Sequence, residues 1–306
     1  MIFVYSCMNF VSLQFDKDKM MKHKRFFIAA VLSAFVILPG LGLAQNSEVG
    51  ACVGTTFYIG DLNPSKLFAQ SKLAGGIVYR YNISPRWAVK ADFLFGKVAG
   101  SDKLTNNGYE RNLSFWSPLT EFSVTGELNF LRLYNTTGQN HFTPYIFAGI
   151  TLFSFNPKAE YDGVEYNLQT FGTEGQGLEG MPKKYSLTTM ALPFGIGLRV
   201  NIGRYVCLGA EWGFRYTFTD YLDDVGKRYY DNDKLREIRG DLVANLADRS
   251  PELTGKDGSP LPLHQEGEQR GNFTTHDLYS FAGLFLTVKF GNVSTTCDLK
   301  KPRKRR

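Results

Sequence analysis

From Leu208 to Phe218 the chain reads LGAEWGFRYTF. Small or charged residues (Gly209, Glu211, Gly213, Arg215, Thr217) alternate without exception with apolar, mostly aromatic ones (Leu208, Ala210, Trp212, Phe214, Tyr216, Phe218). Side chains of a strand point alternately to its two faces, so this segment has one ionic and one aromatic face. In a soluble sheet the aromatic face enters a core; in a membrane barrel it meets lipid and the ions turn into the lumen. The same period recurs. Phe122, Val124, Leu128 and Phe130 oppose Ser123, Thr125, Glu127 and Asn129, and Trp87, Val89, Phe93 and Phe95 oppose Lys90 and Asp92. Likewise Leu192, Phe194, Ile196, Leu198, Val200 and Ile202 oppose Gly195, Gly197, Arg199 and Asn201. Eight strands are predicted, at 48–60, 72–82, 86–98, 119–133, 142–155, 189–202, 205–219 and 277–291. The first, fifth and last are largely apolar on both faces, which leaves their sidedness open.

The connections separate the two readings. NISPR (82–86), NTTGQN (135–140) and IGR (202–204) are tight turns of Asn, Gly, Ser and Pro, whereas 61–71, 99–118, 156–188 and 220–276 are long and polar. Short turns on the periplasmic side and long loops outside are the habit of transmembrane barrels, and a sandwich has no reason to sort its loops this way. Aromatic residues near the strand ends (Tyr79, Tyr81, Trp87, Tyr134, Tyr145 and Tyr205 by the short turns; Tyr58, Trp116 and Tyr221 by the long loops) are expected to form two interfacial girdles. Backbone groups in lipid must pair internally, so eight such strands have to close. The expected fold is all-β, an eight-stranded antiparallel up-and-down transmembrane β-barrel with short periplasmic turns and long extracellular loops, with Trp212, Phe214 and Tyr216 facing lipid.

An eight-stranded ring is narrow enough for side chains to fill. Its lumen is expected to hold Arg80, Lys90, Asp92, Glu127, Arg199, Glu211 and Arg215. Unpaired ions there would be costly, so these residues should form a compensating network, either a structural plug or a proton or ion path.

Charge changes the picture only at the termini. The formal net charge is +6, but residues 1–44 and the last ten residues carry so many Lys and Arg that 45–296 is left at about −2. The body is therefore not basic and no nucleic-acid partner is expected. Residues 21–44, MKHKRFFIAAVLSAFVILPGLGLA, have the basic, apolar and small-residue parts of a secretory signal, with a mature start at Gln45 and residues 1–19 as an upstream extension. This divides the chain into 1–44, a barrel at 45–291 and a basic tail at 292–306. The tail, with Lys300, Lys301, Arg303, Lys304, Arg305 and Arg306, is read either as solvated or as a contact for an acidic periplasmic partner or peptidoglycan. Cys52 and Cys207 fit as packing residues and Cys297 as a free thiol, so no disulfide framework is legible.

Several stretches look chemical without carrying chemistry. GQGLEG (175–180) matches GxGxxG but lies in a polar loop and is followed by Met181 and Pro182 rather than by a helix. His141, His264 and His276 share no strand face with a Ser and a carboxylate, so no triad is evident. Asp220, Asp223, Asp224, Asp231 and Asp233 could offer oxygens to calcium, but without EF-hand spacing they read as a solvated loop base, and neither a metal nor a cofactor is expected. Leu235, Ile238, Leu242 and Leu246 recur at helical spacing within 233–250, predicting an amphipathic helix over the barrel mouth.

Finally, FYIGDLNPSK (57–66), YRYNISPRWAVKADFLFGKVAGSD (79–102), TDYLDDV (219–225), LADRS (246–250) and QRGNFTTHDLYSFAGLFLTVKF (269–290) resemble the PorG family of Bacteroidetes outer-membrane proteins. The motif residues that carry the resemblance include Gly60, Asp61, Leu62, Asn63 and Pro64, with Asp220, Tyr221, Asp223 and Asp224. The resemblance implies a non-enzymatic component of the type IX secretion system in the outer-membrane lipid, associated with a periplasmic ring of the lipoprotein PorK and its partner PorN. It supplies no catalytic residue and no motif for the tail. Two other readings remain beside it: a surface adhesin or structural barrel that uses the long loops, and a lipid-modifying outer-membrane enzyme, which would need a Ser, His or acid constellation at the membrane boundary.

Overall fold

Period-two alternation becomes ten strands in the computed structural model, which describes residues 47–105, 109–131, 141–202 and 205–290. They are β1 (Ser47–Ile59), β2 (Lys72–Asn82), β3 (Trp87–Ser101), β4 (Ser114–Asn129), β5 (Phe142–Phe155), β6 (Lys158–Tyr161), β7 (Val164–Asn167), β8 (Thr188–Ile202), β9 (Val206–Thr217) and β10 (Leu278–Phe290). Eight of them form a closed antiparallel ring in which each strand pairs with its neighbour along the barrel chain, β3 with β4 included, and β1 closes against β10 from Ser47↔Phe290 to Ile59↔Leu278. Closure leaves no strand edge in lipid, so the wall satisfies its own backbone hydrogen bonds. The remaining pair, β6 and β7, is a small hairpin that extends β4 beyond the wall through Trp116↔Lys158. The signal segment, Tyr134, the whole of the second tight turn, Gly203 and Arg204 of the third, Cys297 and the basic tail lie outside the described residues.

The wall is apolar outside and ionic within. On β8, Leu192, Phe194, Ile196, Leu198, Val200 and Ile202 are all exposed on the outer face, while Arg199 and Asn201 are buried. On β9, Tyr216 faces outward, as does Phe218 just past its end, and Glu211 and Arg215 face inward; on β4, Val124 is outside, as is Phe130 just past its end, and Ser123, Thr125, Glu127 and Asn129 are inside. The three strands without a legible side resolve in the same way. Val49 and Val53 of β1, Ile146 and Ile150 of β5, and Leu284, Leu286 and Val288 of β10 are exposed, opposite the buried Cys52, Phe147 and Phe285. The inner faces of β5 and β10 are largely apolar because they pack ring against ring inside the barrel: Phe285 on Phe281 at 6.0 Å, and Tyr145 beside Phe147 at 6.3 Å. Room for these rings comes from small residues on the facing strands. A Cβ at Gly197 would stand 2.3 Å from the Tyr145 ring, and one at Gly213 2.5 Å from Phe147.

Two expectations about the strand ends change. The third hairpin is longer than predicted, with β3 running to Ser101 and β4 starting at Ser114, because Gly100 and Pro118, which read as loop residues, sit in ladder register opposite Phe115 and Lys97. The girdles are also thinner. Trp87 and Tyr205 are exposed on the outer surface near the short turns, but Tyr58 and Tyr145 turn inward and are fully buried, held by carboxylates that sequence position did not reveal. Tyr221 lies in a loop, stacked on Tyr185 at 4.6 Å.

Candidate functional site

All seven ionic residues assigned to the lumen lie inside the barrel, in three linked groups. Toward the short turns, Arg80 holds Glu127 through two bonds, Nε to Oε2 at 2.8 Å and Nη2 to Oε1 at 2.9 Å. Beside them Arg199 donates to Glu48 at 2.7 Å, and Glu48 also accepts from Asn82 and Thr287, each at 2.8 Å. At mid-height Lys90 Nζ lies 2.7 and 2.5 Å from the two Glu211 oxygens and 3.5 Å from Asp92, while the Tyr145 hydroxyl donates to Glu211 at 2.5 Å. The ammonium also sits 5.0 Å from the Phe147 centroid and 4.8 Å from that of Phe285, which suits a desolvated cation. Toward the long loops Arg215 donates to Glu121 through Nε at 3.2 Å and Nη2 at 3.1 Å, and the Tyr279 hydroxyl reaches the other Glu121 oxygen at 2.8 Å.

Two members, Glu48 and Glu121, escaped the sequence reading. Glu121 has the parity of Ser123, Thr125 and Glu127 and was legible on that ground. Glu48 sits on a strand of open sidedness, and only its register between Arg80 and Lys289 reveals it. Interlocked, ring-packed and nearly charge-neutral, the lumen has the character of a plug; the Arg215 guanidinium lies 5.6 Å from the Phe281 ring above it.

The four long connections, 60–71, 102–113, 156–187 and 218–277, fold together into a cap over the opposite end. The GDLNP and TDYLDDV stretches meet here. The Tyr58 hydroxyl lies 2.5 Å from Asp223 Oδ2 and 3.0 Å from Asp277 Oδ1, Asn63 Nδ2 donates back to the Tyr58 carbonyl at 2.8 Å, and the Asp61 carboxylate accepts from the Asn272 amide at 3.0 Å. Gly60 is fixed by this clasp, since a Cβ there would fall 2.1 Å from the Tyr58 hydroxyl and 2.2 Å from Asp277. Leu62 and Leu222 are fully buried in the same core; Pro64 is exposed, and Asp220 and Tyr221 are half-buried at its edge. Arg111 joins three loops, pairing with Asp102 at 2.6 Å and donating to the carbonyls of Asp61 at 2.9 Å and Arg270 at 2.5 Å. Arg270 in turn bonds Glu174 at 3.1 Å and the Asp224 carbonyl at 2.6 Å, and Asp224 accepts from Thr173 at 2.5 Å and Tyr185 at 2.6 Å.

The acidic run divides: Asp233 is exposed and Asp231 accepts from the amides of Asp233 and Lys234 at the surface, as in a solvated loop base, but the rest is drawn inward. Asp223 and Asp224 are fully buried, and among the described residues no group of His, Cys, Asp and Glu is arranged to hold a metal ion. Burial, reinforced by Asp277 and Asp61, raises the pKa of Asp223 well above the carboxylate range, and burial with Asp220 and Asp61 does the same to Asp277. A phenol has one proton, so both carboxyls flanking Tyr58 are satisfied only when one of them is protonated. Burial also lifts Asp224 to about 6 against the opposing charge of Arg270, and lifts Asp220, beside Asp61 and Glu174, to about 8. Carboxyls raised above their unfolded value near 4 bind more protons in the folded state, so the cap loses stability as pH rises from about 4 through 6 to 8. Limited proteolysis of loop 218–277 should accordingly be slower at pH 5.5 than at pH 8.5. A protease-independent readout such as hydrogen exchange should show the same order, and greater protection at pH 8.5 would contradict the assignment.

The predicted amphipathic helix is present as two, Asn232–Arg239 and Asp241–Ala247, divided at Gly240, whose φ of 89° a helix does not accommodate. Leu235 and Leu246 are buried as the spacing requires, but the break leaves Ile238 exposed. A Ser, His and Asp cluster also appears that spacing did not disclose, because distant parts of one loop bring it together. Ser250 Oγ lies 2.9 Å from His264 Nδ1, and Asp248 Oδ2 lies 3.1 Å from the same nitrogen. A hydrolytic triad places the hydroxyl on one ring nitrogen and the carboxylate on the other. Here both share Nδ1, Ser250 is buried and also bonds Asp248, and the ring stacks on Tyr229 at 4.2 Å, which makes the cluster a loop fastener. GQGLEG is a turn region with Gly175, Gly177 and Gly180 at positive φ and no helix behind it.

An apolar outer wall, a closed ring, an ionic interior and loops of unequal length at the two ends together define an outer-membrane β-barrel protein. Residues 24–247 match the family model described as a domain of unknown function, DUF6089, and the chain belongs to that family. No curated protein matches the chain. Among solved structures it is similar to Neisserial surface protein A (11% identity, 80% of this chain and 97% of that one, TM-score 0.39). It is similar also to the Pseudomonas aeruginosa outer membrane protein OprG (9%, 80% and 94%, TM-score 0.38) and to Ail, the attachment invasion locus protein of Yersinia pestis (11%, 80% and 99%, TM-score 0.35).

Proposed function

We propose that this protein is a non-enzymatic outer-membrane component of the type IX secretion system that anchors or organises a periplasmic ring of PorK and PorN type proteins. The observation that carries the reading is the sealed lumen. A barrel whose interior is occupied by Arg80, Lys90, Arg199, Arg215 and their carboxylates has no room for cargo, so its work falls to its faces. The PorG-like stretches supply the identity of the machinery. The periplasmic face offers only tight turns, too little for a stable contact of the usual ~1,600 Å², so the tail bearing Lys300, Lys301, Arg303, Lys304, Arg305 and Arg306 is the natural addition.

A chain ending at Gly291 should insert normally yet capture less of the ring from native membranes than the full-length protein. Capture by the full chain should decline with salt, since exposed charge pairs are screened beyond about 8 Å at physiological ionic strength. Equal capture by both chains at every salt concentration would move the contact to the turns. Absence of ring proteins from both samples, with normal secretion after deletion of the gene, would overturn the secretion reading. The fastened cap favours a second reading, a surface-binding barrel that acts through its loops, and that second outcome would leave it standing.

A further inference from the structure

The outward row of β3 runs Trp87, Val89, Ala91, Phe93, Phe95, and its first charge is Lys97, which is exposed. A tilted strand crosses the hydrocarbon in about 9–11 residues, so Lys97, ten residues beyond the exposed Trp87 at the short-turn end, stands at the outer head-group level. On the next strand the outward Trp116 lies opposite Ala99, and Lys158 of the small hairpin is its ladder partner on the other side. Both ammonium groups turn to the one indole: Lys97 Nζ lies 4.9 Å from the Trp116 centroid and Lys158 Nζ 4.6 Å.

Two like charges held on one ring repel each other, and a ring face leaves most of their N–H donors unused. Among the described residues no carboxylate pairs with Lys97, and Lys158 has only the exposed Glu165, 3.9 Å away. Lys72, exposed at the start of β2, adds a third cation beside them, since the Thr56 hydroxyl lies 3.4 Å from its carbonyl and 2.5 Å from that of Lys97. Glu160 and Glu165 face each other farther out along the hairpin, so the positive sector is confined to the head-group level. Immediately toward the membrane interior the wall has a furrow. Gly75 of β2 stands between Val53 and Phe95 in the sheet and has no side chain, while Val53, Leu73, Ile77 and Phe95 around it are all exposed.

We propose that this sector of the outer rim binds a phosphorylated lipid of the outer leaflet, with its phosphate on Lys97 and Lys158 and an acyl chain along the furrow at Gly75. A phosphate brings several acceptor oxygens and a negative charge to one point, which relieves the repulsion between the two lysines and fills their open donors. Trp116 fixes both cations in advance, so little side-chain freedom is lost when the head group arrives. The continuity of cationic rim and apolar furrow on one face selects an amphipathic ligand. Free phosphate would use only the rim, and an acidic polypeptide would have to enter the hydrocarbon to use the furrow. Lysines that merely snorkel toward the interface would accept any head group alike, and that difference is measurable. The site lies on the outer wall at the long-loop end, away from the periplasmic contact, so it stands or falls separately from the secretion reading.

The test is native mass spectrometry of the full-length protein in a non-ionic detergent, titrated with monophosphoryl lipid A, with the same lipid after removal of its phosphate, and with phosphatidic acid. Saturable retention of one phosphorylated lipid per barrel is expected, at concentrations where the dephosphorylated lipid is not retained and without displacement by an equal concentration of inorganic phosphate. Lys97→Gln and Lys158→Gln should each weaken retention about tenfold, the scale of one charge-assisted hydrogen bond, with heat-modified gel mobility unchanged. Lys183→Gln, which removes an exposed charge from the cap, should leave it as it was. Failure of both phosphorylated lipids to bind, equal retention of the dephosphorylated lipid, retention that neither substitution lowers or that Lys183→Gln lowers as much, or displacement by inorganic phosphate would each overturn the proposal.

Discussion

Replacing Glu211 by Ala will destabilise the barrel by about 3–5 kcal/mol, because it strips the partner from a cation buried at mid-height and leaves that charge uncompensated. Lys90 loses bonds of 2.7 and 2.5 Å and keeps Asp92 at 3.5 Å and the Phe147 and Phe285 rings, the Tyr145 hydroxyl loses its acceptor, and Arg80 loses a carboxylate 3.6 Å away. Exposed pairs behave differently. Arg236 pairs with Asp233 at 3.1 Å on the cap surface, and Arg236→Ala should cost at most about 1 kcal/mol. Replacing both mid-height partners, Lys90→Met with Glu211→Leu, should recover part of the loss, since the buried charge leaves with its partner. Urea midpoints of folded barrel, read by heat-modified gel mobility, give the comparison; Glu211→Ala and Arg236→Ala melting together would count against a charged interior.

Arg111→Ala should open the cap while leaving the wall intact. Its guanidinium reaches Asp102, the Asp61 carbonyl and the Arg270 carbonyl at once, and Asp102 is fully buried. Without it a buried carboxylate stands with only the Leu113 amide, at 3.0 Å, among its described partners, a loss again of about 3–5 kcal/mol, confined to the loops. External protease should then cut residues 218–277 on intact cells, with the heat-modified mobility of the barrel unchanged. Arg236→Ala, which breaks surface pairs with Asp233 and Asp241, should have little effect. Equal protease resistance of the Arg111 and Arg236 variants would mean that the cap is held by its apolar core alone.

The wall was legible in the sequence because a lipid-facing strand must alternate: the outer faces of β4, β8 and β9 stand as their period implies, and the closed ring follows from the need to pair every backbone group. The strands with two apolar faces were not legible, because Phe147, Phe281 and Phe285 fill a lumen that is part ionic and part aromatic, and parity alone cannot say which apolar row is inside. Tyr58 and Tyr145 misled for a related reason. Near a strand end a tyrosine suits either a headgroup or a buried carboxylate, and only its partners, Asp223 and Glu211, decide. The cap was least accessible. The Arg111 and Arg270 connections and the Ser250 and His264 contact join residues from separate loops or distant parts of one loop, where no periodicity marks them. What sequence did mark there were the GDLNP and TDYLDDV stretches, and the structure gives them a physical role as the two halves of the clasp around Tyr58.

The most direct test of the account is the conductance of the purified, refolded protein in a planar lipid bilayer. A lumen closed by Lys90, Glu211, Arg80, Glu127, Arg215 and Glu121 predicts insertion without steady current above the bare membrane, at either polarity and at high salt. Stable, stepwise, ohmic openings that scale with salt concentration would show a water-filled passage and contradict the sealed barrel on which the anchoring role rests.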